Sequence, residues 1–233
     1  MKGRGGAGGG QSGHMAASFT DLMASMMVIF VLLFVAVVNN ASAKRDLVVD
    51  ALLKSLKQRI GETGLARRII DKDPKDPNAI LIIMPDSLLF DRGRAEIKPV
   101  GLNDLQNFIP LVAGILCAPE VAARVSGVVV EGHTDSTWSE VLVPPQTGPE
   151  KNLELSQSRS MEVVKASLRA LEGNPSRDCF RQMLSASGRG QEELLREVPP
   201  DDAKQRRVIF KIRVQQDALG ELTQAIVPAK ERR

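Results

Sequence analysis

At 233 residues, 43% hydrophobic and 25% charged, the chain is long enough for one apolar segment and one globular domain of ordinary size. A formal charge of +3 and a pI near 9.0 come with no dense Lys/Arg run, and aromatic residues are 3% with no tyrosine. Neither a phosphate-tracking surface nor a base-stacking platform is therefore expected, which excludes nucleic acid as the partner.

Residues 1–17 are glycine-rich from Gly3 to Gly13 and read as a flexible tail. Residues 18–43 read as a transmembrane helix. Positions 22–38 carry no charge, and Ser25 is their one polar side chain. At 1.5 Å per residue they cover about 26 Å, close to a hydrocarbon core once the preceding turn is added. Asp21 heads this run. A carboxylate in such a segment costs about 2.5–3.5 kcal/mol, so it marks an ion path or a helix–helix contact; the other reading is an interfacial helix-start residue among lipid headgroups. Lys2, Arg4, the apolar run and Ala41-Ser42-Ala43 also have the three parts of a cleavable signal, but the run is too long and Asp21 is out of place there. Lys44, Arg45, Lys54, Lys57 and Arg59 outnumber the basic residues before the span, which by charge alone would put the C-terminal side in the cytoplasm.

Residues 44–78 read as an amphipathic helix and linker. Val49, Leu52, Leu53, Leu56 and Ile60 recur at helical steps, a stripe that either pairs with a second copy, lies on a membrane surface or packs on its own domain. Gly61 and Gly64 end it, and Asp71-Lys72-Asp73-Pro74-Lys75-Asp76-Pro77-Asn78 reads as a turn-forming linker at a domain boundary.

From 79 to 216 strands and helices alternate. Strands are expected at 80–84, 125–131, 183–187 and 208–214, with helices at 101–116 and 155–171. The order β-α-β-α-β-β predicts an α+β, two-layer domain with helices on a small mixed sheet. Residues 217–233 read as a C-terminal tail.

Two groups of residues resemble known families. Gly132-His133-Thr134-Asp135, then Asn152, Leu155-Ser156, Arg159 and Val163, resemble the G-x-T-D and N-x-x-L-S-x-x-R-A-x-x-V signature of OmpA-like peptidoglycan-binding domains, with Gln205-Arg206-Arg207-Val208 similar to their terminal N-R-R-V. Ser160 and Gln205 depart from that pattern, and so does a longer loop bearing Trp138 and Pro144-Pro145. Asp21-Leu22-Met23-Ala24-Ser25-Met26-Met27 is similar to the D-F-M-T-A-M-M segment of MotB, the B subunit of flagellar stators. The same layout of tail, span and OmpA-like domain occurs in ZorB of the Zorya anti-phage system.

The resemblance implies a single-pass inner-membrane protein with a cytoplasmic N-terminus and a periplasmic domain, against the charge count. It implies a homodimer, five copies of a MotA/ZorA-like multi-span partner, and proton translocation at Asp21 with Ser25 one turn above. For the wall site it implies that Asp135 and Arg159 hold the zwitterionic diaminopimelate of a stem peptide, with Thr134, Asn152 and Leu155 lining the cleft. An Arg fork suits a carboxylate as Lys does not. The other reading pairs Asp135 with Arg159 internally. Cys117 and Cys179, the only cysteines, are then in a compartment that permits a disulfide, worth about 4 kcal/mol on the chain-entropy model; two buried thiols are the alternative. His133 reads as a packed or surface imidazole, since no metal-ligand spacing accompanies it. No cofactor and no catalytic set is expected. Two functions follow: an ion-driven stator subunit with a wall anchor, or a passive OmpA-like tether without an ion path.

Overall fold

A computed structural model describes residues 11–62, 68–137 and 148–215. The chain divides into two compact units, Asp46–Gln216 and Met1–Arg45 with Asp217–Arg233. Residues 1–10 of the expected 1–17 tail, the loop with Trp138 and Pro144-Pro145, and the C-terminal tail lie outside the described residues; residues 11–17 of that tail are helical rather than flexible.

The first helix, α1 (Gln11–Gly61), contains both the expected span and the expected amphipathic segment without a break at Asn39–Ala43. Its stretch Asp21–Asn39 has a mean hydropathy of 2.6 and none of it is buried. Met27 and Phe30 are each 69% exposed, an apolar surface that water does not solvate well and that needs lipid or protein around it.

The unit Asp46–Gln216 begins with the last turns of α1. Val49, Leu52, Leu56 and Ile60 are all buried in the domain core, so this stripe packs on its own domain. Lys72 reaches Asp50 at 2.7 Å and Lys57 reaches Asp71 at 3.6 Å, tying α1 to the next strand.

That strand, β1 (Ile69–Lys72), corrects the expected linker. It pairs antiparallel with β2 (Ala79–Pro85) from Ile69 opposite Ile83 to Lys72 opposite Ile80. The Asp/Pro/Asn segment is a turn, but one that joins two strands. Asp73 Oδ1 accepts from the Lys75 N–H at 2.8 Å and Asp76 Oδ1 from the Asn78 N–H at 3.0 Å, the local bonds that make Asp a turn residue. The folded unit therefore starts before residue 79.

After β2 come α2 (Asp86–Leu89), α3 (Pro99–Leu116), α4 (Pro119–Ala122), β3 (Val125–His133), α5 (Gly148–Ala170), α6 (Arg177–Met183), β4 (Leu184–Gly190), a 3-10 turn (Ala203–Gln205) and β5 (Arg207–Val214). The sheet order is β1-β2-β5-β3-β4, antiparallel except for β3 with β4. Parallel neighbours require a long crossover, which α5 and α6 supply. Ile80, Ile82 and Met84 of β2, Val128 and Val130 of β3, and Phe210 and Ile212 of β5 are fully buried with Leu105, Phe108, Ile109 and Val112 of α3. Phe108 meets Phe210 edge-to-face at 5.7 Å. This is the α+β, small mixed-sheet architecture, with one more strand than the sequence pattern predicts.

Two glycines let α5 lie directly on the sheet. A Cβ at Gly132 would stand 2.3 Å from the Ser156 carbonyl oxygen, and one at Gly188 would stand 2.6 Å from the Gln157 nitrogen. The close approach brings the first half of α5 beside the end of β3. Cys117, at the end of α3, and Cys179, on α6, form a disulfide with Cα atoms 6.0 Å apart.

Candidate functional site

Helix α5 begins at Gly148 rather than at the expected Leu155, so Asn152, Leu155 and Arg159 are spaced along one helical face. That face, the chain leaving β3 at Thr134 and Asp135, the turn at Arg92-Gly93 and Arg206 enclose a cleft of about 360 Å³. All five sequence-predicted wall-site residues, Thr134, Asp135, Asn152, Leu155 and Arg159, line it.

Asp135 and Arg159 share the cleft without pairing. Arg159, only 1% exposed, places Nη1 2.8 Å from Asp86 Oδ1 and donates from Nε to the Arg94 carbonyl at 2.8 Å and from Nη2 to the Asp91 carbonyl at 3.2 Å. Gly93, with φ +74°, makes the turn that presents those two carbonyls, a backbone conformation L side chains rarely adopt. The guanidinium also lies 5.0 Å from the Phe90 ring centre.

Asp135, 3% exposed, takes its cation from elsewhere: Arg206 Nη1 meets its Oδ2, while Thr137 donates to Oδ1 through its hydroxyl at 2.6 Å and its N–H at 3.2 Å. Arg206 Nε also lies 3.8 Å from Asp86 Oδ2. Asp86, Arg159, Arg206 and Asp135 thus form an alternating chain of two carboxylates and two guanidiniums. Burial pushes the Asp86 carboxyl up to about 6; Arg159 and Arg206 oppose the shift and Asp135 adds to it.

Asn152 shapes the loop more than the ligand surface. Its amide donates to the Asp135 carbonyl at 3.2 Å and to Gln191 Oε1 at 3.0 Å. One buried group lining the cleft, Thr134 Oγ1, has no hydrogen-bond partner, and Arg159 Nη1 meets only the Asp86 carboxylate, without hydrogen-bond geometry. Buried polar atoms left in that state point to a ligand or water that completes them.

Sequence reasoning missed Asp86 and the part played by Arg206. Arg206 lay within a motif already noticed. Asp86 carried a weaker signal, a charge placed immediately after the apolar β2 run. His133 is buried rather than on the surface, at 2% exposure, and sits 3.7 Å from Glu131, an ion pair only when the imidazole is protonated. Burial holds its imidazole below the ordinary value, with Glu131 opposing. Burial also works to raise Glu131, yet His133 and an Arg189 Nη2 bond at 2.9 Å outweigh it and hold the carboxyl at about 2. Among the described residues no cluster of His, Cys, Asp or Glu is arranged to hold a metal.

Asp21 and Ser25 belong to the other unit. Both are exposed, one helical turn apart, at the head of the apolar stretch.

No family model matches the chain. Among curated proteins, the Zorya protein ZorB of Escherichia coli strain ATCC 8739 is 24% identical over 156 residues, 64% of this chain and 65% of that protein. The match therefore spans just under two thirds of the relative's length. Among solved structures, a MotB-like protein from Desulfovibrio vulgaris superposes with a TM-score of 0.53 at 20% identity, covering 73% of this chain and 99% of that one. The periplasmic domain of Helicobacter pylori MotB, residues 97–256, gives 0.49 at 19% identity over 68% of this chain and 96% of that one. The chain is thus similar in sequence to ZorB and shares the fold of the Desulfovibrio MotB-like protein.

Proposed function

We propose that the chain is the B-type subunit of an ion-driven stator complex, with a proton-carrying carboxylate in the inner membrane and a peptidoglycan anchor in the periplasm. The observation that carries this reading is the joining, in one chain, of an exposed apolar helix headed by Asp21 and a domain with a buried carboxylate–guanidinium cleft. A passive tether has no use for an ionisable group next to its span, whereas a stator needs one that a partner can draw out of the headgroup layer into a path between helices.

In this reading the N-terminus is cytoplasmic, two copies of the chain pair, and about five multi-span partner subunits surround them, the ratio the MotB/ZorB layout implies. The partner supplies the protein surface that residues 22–38 lack. Asp21 takes up a proton from one side and releases it to the other. Its two charge states favour different seatings of the helix against the partner, and such a bistable interface converts ion flow into rotation. Ser25, one turn away, hydrogen-bonds the carboxyl or a water in the path. The anchor holds the complex still by binding a zwitterionic stem peptide, whose carboxylate goes to Arg159 and whose ammonium goes to Asp135. The similarity to ZorB favours an anti-phage machine over a flagellar one.

The test is Asp21→Asn in cells that also make the chain's multi-span partner. The stator reading expects phage protection to be abolished while expression and retention on peptidoglycan sacculi stay normal. Undiminished protection would leave only the tether.

A further inference from the structure

The cleft is electrically full before any ligand enters. Asp86 is the first residue of α2, and its side chain is 4% exposed. Four charged groups face it from the elements packed around it: Arg159 on α5, Arg206 ahead of β5, Asp135 beyond β3 and Lys98 ahead of α3. Two of the three Arg159 nitrogens are committed to backbone carbonyls, which leaves Nη1 as the nitrogen that faces a carboxylate. That carboxylate is Asp86, yet Nη1 and Oδ1 stand 2.8 Å apart without hydrogen-bond geometry, and neither has another partner. Arg159 itself lines the cleft. A ligand carboxylate seeking it meets a position already held by an internal anion.

We propose that Asp86 is a positioning residue that holds Arg159 as an internal counter-ion, and that an arriving carboxylate must exchange with it, an exchange that is easy when Asp86 carries a proton. This rests on the stem-peptide reading of the cleft given above. Ionised, Asp86 competes with the ligand for Nη1 and repels it. Protonated, it stops competing and becomes a hydrogen-bond donor to the incoming carboxylate. The proton goes on as the pH falls through about 6, a range in which α-carboxylates, with pKa values of roughly 3.5, remain ionised. Binding therefore strengthens with acidification, and the zwitterion's ammonium offsets the negative charge of Asp135 throughout.

The experiment measures the affinity of the full chain, in detergent micelles, for a stem tripeptide ending in diaminopimelate between pH 7.5 and 5.5. Wild type is expected to bind about tenfold more tightly at the lower pH, the behaviour of a single linked proton. Asp86→Asn should bind at the tighter level across the whole range, with no slope. Asp86→Glu should keep a slope with a displaced midpoint. A wild-type profile that is flat or falls with acidification, or an Asp86→Asn profile parallel to wild type, overturns the role of Asp86 while leaving the stem-peptide site standing. If Asp86→Asn does not fold, an unmoved midpoint in Asp86→Glu overturns it instead. A wild type that binds the tripeptide at no pH removes the stem-peptide reading and this inference together.

Discussion

Two kinds of carboxylate stand in this molecule. Asp21 lies exposed at the head of an uncharged apolar run, whereas Asp86 and Asp135 are buried and already face two guanidiniums, Arg159 on α5 and Arg206 ahead of β5. The difference teaches where each finds its partner. In the proposed stator a carboxylate beside an apolar helix is completed by another chain, so its chemistry belongs to an assembly. A carboxylate sealed into a charge-balanced cleft can act only by exchange, because removing one charge strands another.

The strongest way to break this contrast, after the loss of function expected for Asp21→Asn, is to remove the fork from the cleft while keeping its charge. Arg159→Lys should abolish retention on sacculi while near-ultraviolet circular dichroism still reports a folded domain, because an ammonium cannot span Asp86 and two carbonyls at once. Retained binding would detach Arg159 from the ligand and leave it as internal structure.

A smaller effect tests whether the cleft depends on how closely α5 approaches β3. Gly132→Ala drives a methyl into the Ser156 carbonyl, so thermal unfolding should show a loss of about 3 kcal/mol, at the upper end of overpacking costs. Stability equal to wild type would mean that α5 has slack and that the cleft is not set by this contact.

The third test uses pH on a buried acid outside the cleft chain. Glu131, held at about 2 in the fold, contributes stability that is present above its unfolded pKa of roughly 4.3 and is lost as pH falls through about 2. Glu131→Gln should cost about 3 kcal/mol at pH 7, and the gap to wild type should close in chemical unfolding curves taken from pH 4.5 downward. A gap that stays constant would show that Arg189 and His133 do not hold this carboxylate.

Strands 80–84 and 125–131 were legible as short apolar β-branched runs, strand 208–214 from its alternation, and helix 101–116 because its stripe keeps the helical period. Strand β1 was not: four residues, two of them charged, carry no pattern, and the Asp/Pro turn after them looks the same whether it joins strands or domains. The fate of the 46–60 stripe was open for a related reason, since an apolar face does not say what covers it. In the cleft, residues in a spaced motif were readable and their pairing was not. Asp86 stands forty-nine positions from Asp135, and only the fold brings them to one pair of guanidiniums.

The Cys117–Cys179 bond has a consequence in time as well as in space. The loop it closes, with a sequence separation of 62, contains Asp135, Asn152, Leu155 and Arg159 but leaves Asp86 and Arg206 outside. With or without that bond, the two halves of the site are joined by the pairing of β3 with β5 and by the ion pairs of Asp86 with Arg159 and of Arg206 with Asp135. Oxidation removes about 4 kcal/mol of freedom from the unfolded chain and gathers the four loop residues into one ring. If the domain is exported as proposed above, maturation of the cleft is thereby tied to arrival: the ring that carries Asp135 and Arg159 is fastened only in an oxidising compartment, after the chain has left the one in which it was made.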